Sequence, residues 1–176
     1  IDSLNFNPDG TIQKVIPTLR GVGLTKARSH IQIDRYSALQ GKGIGIEYLD
    51  KNNCFAGWKT LFSKSNTALI YNKVDFGNEK VEEITVRAKS VKGGVLVVRA
   101  DGKKGNIIAK VKILKSAVWK DVRAQVLHAP LGVHALYVSL QSGADVEVDW
   151  LGFDALPWEK GAFETHQYRN LFAEMG

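Results

Sequence analysis

The chain has 176 residues, enough for one domain that buries about 70% of the surface its unfolded form exposes, and 44% of them are apolar, as in an ordinary globular protein. The formal net charge is +6, but Lys and Arg are scattered along the chain, and the densest pair, Lys103-Lys104, sits in a DGKKG turn. Without clustering or interleaved aromatics this is a solvated basic surface rather than a nucleic-acid interface. No apolar run approaches a membrane span, and the opening IDSLNFNPDG lacks the basic and apolar regions of a signal peptide, so an export signal is expected only outside this chain.

Residues 1–29 differ from the rest of the chain. NPDGT reads as a turn, TIQKVIP as a short strand ending at Pro17, and LRGVGLT as a Gly-broken stretch with no period. From Ile31 the pattern is regular. IQIDRYS and GIGIEYL (43–49) alternate. A looser stretch from Asp50 to Asn66 carries Phe55, Trp58, Leu61 and Phe62 among turn residues. Then come strand patterns at 68–76, 81–90, 93–101, 106–114, 119–127 and 133–140. The last, ADVEVDWLGF (144–153), places Val146, Val148 and Trp150 on one face and Asp145, Glu147, Asp149 and Leu151 on the other. Short β-branched strands separated by Gly-rich turns, with no comparable helical period, predict an all-β chain folded as an antiparallel β-sandwich. After Phe153 the pattern breaks, and Gln167–Met175 reads as a short helix with Tyr168, Leu171, Phe172 and Met175 on one face.

No catalytic motif emerges. The four histidines are widely spaced, there is no nucleophile elbow or phosphate loop, and GKGIG (41–45) opens a strand rather than a helix. Cys54 is alone, so it makes no internal disulfide and leaves the redox compartment open. Most carboxylates adjoin turns, where Asp serves local hydrogen bonds. Asp149 is different, because it is embedded between Val148 and Trp150. A carboxylate there needs an Arg or Lys, backbone N–H groups or a hard cation. Asp34, with Gln32 on the same face of IQIDRYS, is placed similarly. Oxygen ligands from the first and last strands meeting at one edge would suit calcium; salt bridges would satisfy the same residues.

IQIDRYSA resembles the opening strand of carbohydrate-binding module family six. The VDFG corner, GGVLVVRAD, WKDVRAQV, GVHALYVSL and the DW-x-x-F ending continue the resemblance over Ile31 to Asp154. It implies a β-jelly-roll sandwich and a structural calcium held by Gln32, Asp34 and Asp149. It also implies a sugar cleft at the loop end, where a ring is gripped between two aromatics beside an Asn. Phe62 falls near the first aromatic position, with Trp58 close by and Asn66 after it. The second aromatic has no counterpart in LKSAVW, where Trp119 aligns with a core position and Ser116–Val118 replace the ligand tryptophan. Glu147 occupies the Asn position. The ligand set implied is therefore Trp58, Phe62, Asn66 and Glu147.

The flanks carry shorter resemblances. NPDGTIQKVIPTLRGVG resembles the last strand and exit of the five-bladed propeller of family-43 glycoside hydrolases, the xylosidases and arabinofuranosidases. THQYRNLFAEMG resembles the start of a family-eight catalytic domain. The organisation expected is a domain end over 1–29, a module over 30–155, and a linker and possible domain start over 156–176. The expected function is non-catalytic binding of a xylan or arabinoxylan polysaccharide for an attached hydrolase, in a secreted, periplasmic or cell-surface protein. The alternative is a structural module that has lost its cleft and packs on the catalytic domain through Ile1–Leu24. A third reading is a self-contained glycosidase.

Overall fold

A computed structural model describes residues 4–14 and 23–154. The expected helix at Gln167–Met175 lies outside the described residues, as does the end of the TIQKVIP segment. Among the described residues the chain forms twelve strands. They are β1 (Thr25–Lys26), β2 (Ile31–Gln32), β3 (Ala38–Gln40), β4 (Ile44–Asp50), β5 (Asn53–Phe62) and β6 (Ala68–Asp75). The others are β7 (Glu83–Ser90), β8 (Gly94–Ala100), β9 (Ile107–Ile113), β10 (Ser116–Gln125), β11 (Val133–Gly143) and β12 (Val146–Phe153).

They form two sheets. The front sheet runs β1-β6-β11-β8-β9, with β3 also on β6; the back sheet runs β10-β7-β12-β5-β4, with β2 on β12. Every pairing is antiparallel except β1 with β6. This is the antiparallel sandwich that the strand rhythm predicts. Its core lies between the inner faces, with Leu69, Tyr71, Leu96, Val98, Leu136 and Leu140 from the front and Phe62, Ile84, Val86, Val146 and Val148 from the back. The period-2 alternation of each strand is what delivers these residues to one side.

β12 departs from simple alternation. Val148 is opposite Ala88, yet Trp150 is opposite Arg87, so one extra residue is accommodated between them. This β-bulge reverses the alternation. Leu151 and Phe153 enter the core, whereas Trp150 leaves the core set and is covered by the His30 ring, 4.0 Å away between centroids. The expectation that Leu151 faces out is thereby corrected; Trp150 is buried as expected, 3% exposed, but on the face opposite to Val146 and Val148, and Asp149 sits at the bulge.

The packed sandwich also takes in residues just before His30. Ala27 is fully buried, its N–H donates to the Asp75 carbonyl, and its carbonyl accepts from the Phe153 N–H. Arg28 pairs with Glu79 and Asp154 at 3.5 Å each. The Asp154 carboxylate accepts the Glu82 and Glu83 N–H groups. The entering and leaving ends of the sandwich are thus fastened side by side.

Candidate functional site

The outer face of the front sheet holds a cavity of about 320 Å³. Its floor is set by strand register. Ser139 lies opposite both Val97 and Ala68, and Ala68 lies opposite Gln40. In the next row, Tyr137 lies opposite Arg99. Side chains paired across a ladder share a face, so the Tyr137 ring, Val97 and Ala68 make an apolar floor beside the polar groups of Gln40 and Ser139. Asn66 and Gln141 close one side and Lys103 the other. Asn66 takes a left-handed backbone conformation (φ 62°) fixed by its N–H donating to the Leu140 carbonyl at 3.1 Å.

The Lys103 turn is also built in. Arg99 Nη1 donates to the Gly105 carbonyl at 2.9 Å. The Asp101 carboxylate meets His134 Nδ1 at 2.7 Å and accepts the Ala135 N–H at 3.0 Å. His134 Nε2 meets the Leu131 carbonyl at 2.8 Å. With an acceptor on each ring nitrogen, the imidazolium form satisfies both. The Asp101 hydrogen bond, opposed by burial, leads in raising the His134 pKa above its usual value. Burial opposes ionisation of Asp101, but the bonds from His134 and Ala135 outweigh it and lower its pKa. A pyranose can lay its apolar face on the Tyr137 ring while amides and hydroxyls take its hydroxyl groups.

The sequence-derived ligand set is not brought together. Asn66 lines the groove. Phe62 does not, because it is 0% exposed in the core, opposite Val146, and has no ring face to offer; its placement as a sugar stacker is corrected. Trp58 belongs to the back sheet, is 38% exposed and stacks on Tyr48 of β4 at 4.3 Å between centroids. Glu147 is on the outer face of the same sheet, inside a charge ladder. It contacts the Lys59 amine and pairs with Lys89 at 3.3 Å, and Lys59 reaches Glu47 at 3.5 Å. Lys89 also lies over the Trp119 ring at 5.1 Å. Glu147 is thus engaged by two lysines on the back sheet, away from the front-sheet groove. Tyr137, Gln40 and Arg99 were missed. The alternation of VHALYVSL, with Leu136, Val138 and Leu140 inward, is the local signal that turns Tyr137 and Ser139 outward.

Of the expected calcium ligands, Asp149 is 8% exposed and Arg87 Nε sits 3.2 Å from it. Asp34 pairs with Arg35 at 3.4 Å. Gln32 is held by backbone pairing to Trp150. Among the described residues, no three His, Cys, Asp or Glu side chains gather in metal-binding range. The salt-bridge alternative therefore accounts for both carboxylates. Burial raises the Asp149 pKa to about 6 against the pull of Arg87, and the negative charges of Asp34 and Asp121 push it the same way. Two neighbouring carboxylates and the Gln32 amide on one edge thus fit a hard cation in donor chemistry, with Arg87 competing for the site.

An all-β sandwich with an open groove of one aromatic ring and several amides has the make-up of a saccharide-binding module. The chain belongs to that class by family: residues 38–155 match the profile of Carbohydrate binding module (family 6), and the chain is a member of it. No curated protein matches the sequence. Among solved structures, the CsCBM6-3 module from Clostridium stercorarium in complex with cellobiose has a TM-score of 0.67 at 21% identity, covering 76% of this chain and 98% of that one. A family 6 module from Clostridium cellulolyticum in complex with xylose has a TM-score of 0.64 at 25% identity, covering 73% and 98%. A family 43 arabinoxylan arabinofuranohydrolase from Bacillus subtilis in complex with cellotetraose has a TM-score of 0.68 at 18% identity; the match takes in 86% of this chain and 33% of the enzyme. A module of family 36, in complex with calcium and xylotriose, is similar in fold with a TM-score of 0.54 at 14% identity.

Proposed function

We propose that the module holds a xylan-type plant polysaccharide in the front-sheet groove, without bond chemistry of its own, for a glycoside hydrolase joined to it. The observation that carries this reading is the Tyr137 ring flanked by Gln40, Asn66 and Ser139 in one open groove. The xylose complex of the family 6 relative supports the choice of glycan. Support for a family-43 parent is that 86% of this chain follows the fold of the arabinofuranohydrolase, more than the 76% that follows the isolated module. A family-eight domain starting within residues 156–176 is proposed from the THQYRNLFAEMG resemblance, as is a secreted, periplasmic or cell-surface setting. Tethering raises the local concentration of substrate at a neighbouring active site. Affinity electrophoresis and calorimetry against xylan, xylo-oligosaccharides and cello-oligosaccharides test it. A folded protein that binds none of them refutes it.

Calcium is part of the proposal. Gln32, Asp34 and Asp149 would hold it, and it would fasten the first and last strands rather than touch sugar. The closeness of Asp34 to the buried Asp149 carboxyl, where each charge opposes the other, supports it. The second reading, a structural module packed on the catalytic domain, is favoured by the burial of Phe62, which takes one aromatic from the loop-end cleft implied by the resemblance, and by the pairing of Glu147 with Lys59 and Lys89. In that case, removing the module would destabilise the catalytic domain, and the groove would bind no glycan.

A further inference from the structure

Charge is divided unevenly between the two sheets. The back-sheet strands carry five Lys or Arg residues and six carboxylates. Four of those five cations, Lys59, Arg87, Lys89 and Arg123, are in ion pairs. The front-sheet strands carry five Lys or Arg residues and one carboxylate, Asp75. Asp75 sits at the end of β6 and caps the Gly77 N–H.

The groove lies on this basic side. Arg99 and Lys103 line it, and no lining residue is acidic. Lys110 is opposite Val97, so it stands on the same face at the groove's β9 flank. Among the described residues, Arg99, Lys103 and Lys110 make no ion pair. Asp101, the carboxylate nearest in sequence, is already engaged by His134 and the Ala135 N–H. Arg99 spends one N–H on Gly105, which orients its planar head, and keeps its other donors for a ligand. A fixed guanidinium beside a flexible ammonium, over an apolar floor with amides, matches a sugar that carries a carboxylate.

We propose that this groove selects an acidic saccharide, a polysaccharide segment bearing hexuronate carboxylates, with Arg99 and Lys103 pairing with the uronate. The proposal rests on the carbohydrate-binding reading above and sharpens its ligand class.

The test uses the full 176-residue chain. Calorimetry and affinity electrophoresis compare glucuronoxylan, the same polymer after chemical reduction of its carboxyl groups to alcohols, and neutral xylohexaose. At low ionic strength the acidic polymer binds roughly tenfold tighter than its reduced form, the gain expected of one charge-assisted pair, and high salt shrinks the difference. Arg99→Gln and Lys103→Gln each abolish most of that preference; Lys120→Gln, on the back sheet, leaves it unchanged. If Arg99→Gln loosens the turn it pins, Lys103→Gln still reads the effect, because the Lys103 side chain makes no hydrogen bond among the described residues. Equal binding of the acidic and reduced polymers overturns the acidic-ligand proposal and leaves the carbohydrate reading standing. Equal binding of a sulfated glycan or of duplex DNA overturns it as well, since the surface would then be an undiscriminating cation patch. Failure to bind any of the three xylans overturns both readings.

Discussion

Replacing Glu147 by Asn installs the residue that the family resemblance places there, and it should cost stability without creating a sugar contact. Lys59 is 8% exposed and its amine touches Glu147, while Glu47, its other partner, is more exposed and lies 3.5 Å away. Asn is too short to reach Lys59 and carries no charge. Removing one partner of a buried ion pair costs about 3–5 kcal/mol; with Glu47 still present, about 2–3 kcal/mol is expected here. For a sandwich of this size that is a fall in Tm of roughly 10 °C. Scanning calorimetry and urea unfolding of the Glu147→Asn, Lys59→Met and double variants give the coupling energy, expected at about 2 kcal/mol because Lys59→Met removes the orphaned charge. The pH dependence comes from the same pair. Burial opposes the charged Lys59, but Glu147 and Glu47 outweigh it, so its folded pKa is raised above 10.5. The stabilisation is thus fully present below 10.5 and lost as pH rises through the folded value. A Glu147→Asn protein within about 1 °C of wild type, or a cycle additive within about 0.3 kcal/mol, refutes this account of the ladder.

Tyr137→Ala should weaken glycan binding about tenfold with little loss of stability, whereas Phe62→Ala should cost about 3–5 kcal/mol in urea unfolding and leave the affinity of the folded protein intact. Calcium added after chelation should raise the Tm of the wild type and not of Asp149→Asn. In chelator, the Asp149 pKa of about 6 against 3.8 means that its ionised form is disfavoured in the fold, so wild-type stability falls as pH rises between those values and Asp149→Asn lacks that slope. NMR titration should place His134 above 6.5; its contribution is complete below 6.5 and lost as pH rises through the folded value, and His134→Gln removes that dependence. Thr60 Oγ1 is buried without a hydrogen-bond partner, so Thr60→Val should stabilise the sandwich by about 1 kcal/mol in the same urea assay.

Much of the fold is local information. Leu136, Val138 and Leu140 alternate with Tyr137 and Ser139 in the sequence, and the structure buries the first three. The turns also declare themselves, since Asp101 and Asp145 take positive φ where the sequence carries DG and GAD. Asn66 was reachable through the family resemblance. Phe62 failed as a stacking residue because a residue's family position does not say whether its ring is covered: it has Val146 across the ladder and a second sheet above it.

The sequence by itself determined an all-β sandwich and most of its longer strands, because period-2 burial is a property of each strand alone; it did not show β5, which lies in the stretch read as loose from Asp50 to Asn66. Tertiary structure decided what pairing and register bring together. The bulge before Trp150 reverses the face of every later residue in β12, and no local pattern announces the extra residue. Glu147 is spent on Lys59 and Lys89, distant in the chain but adjacent across the back sheet. The groove gathers Gln40, Asn66, Arg99, Lys103 and Tyr137 from separate strands and turns, and its unneutralised charge exists only because the carboxylates fell to the other sheet.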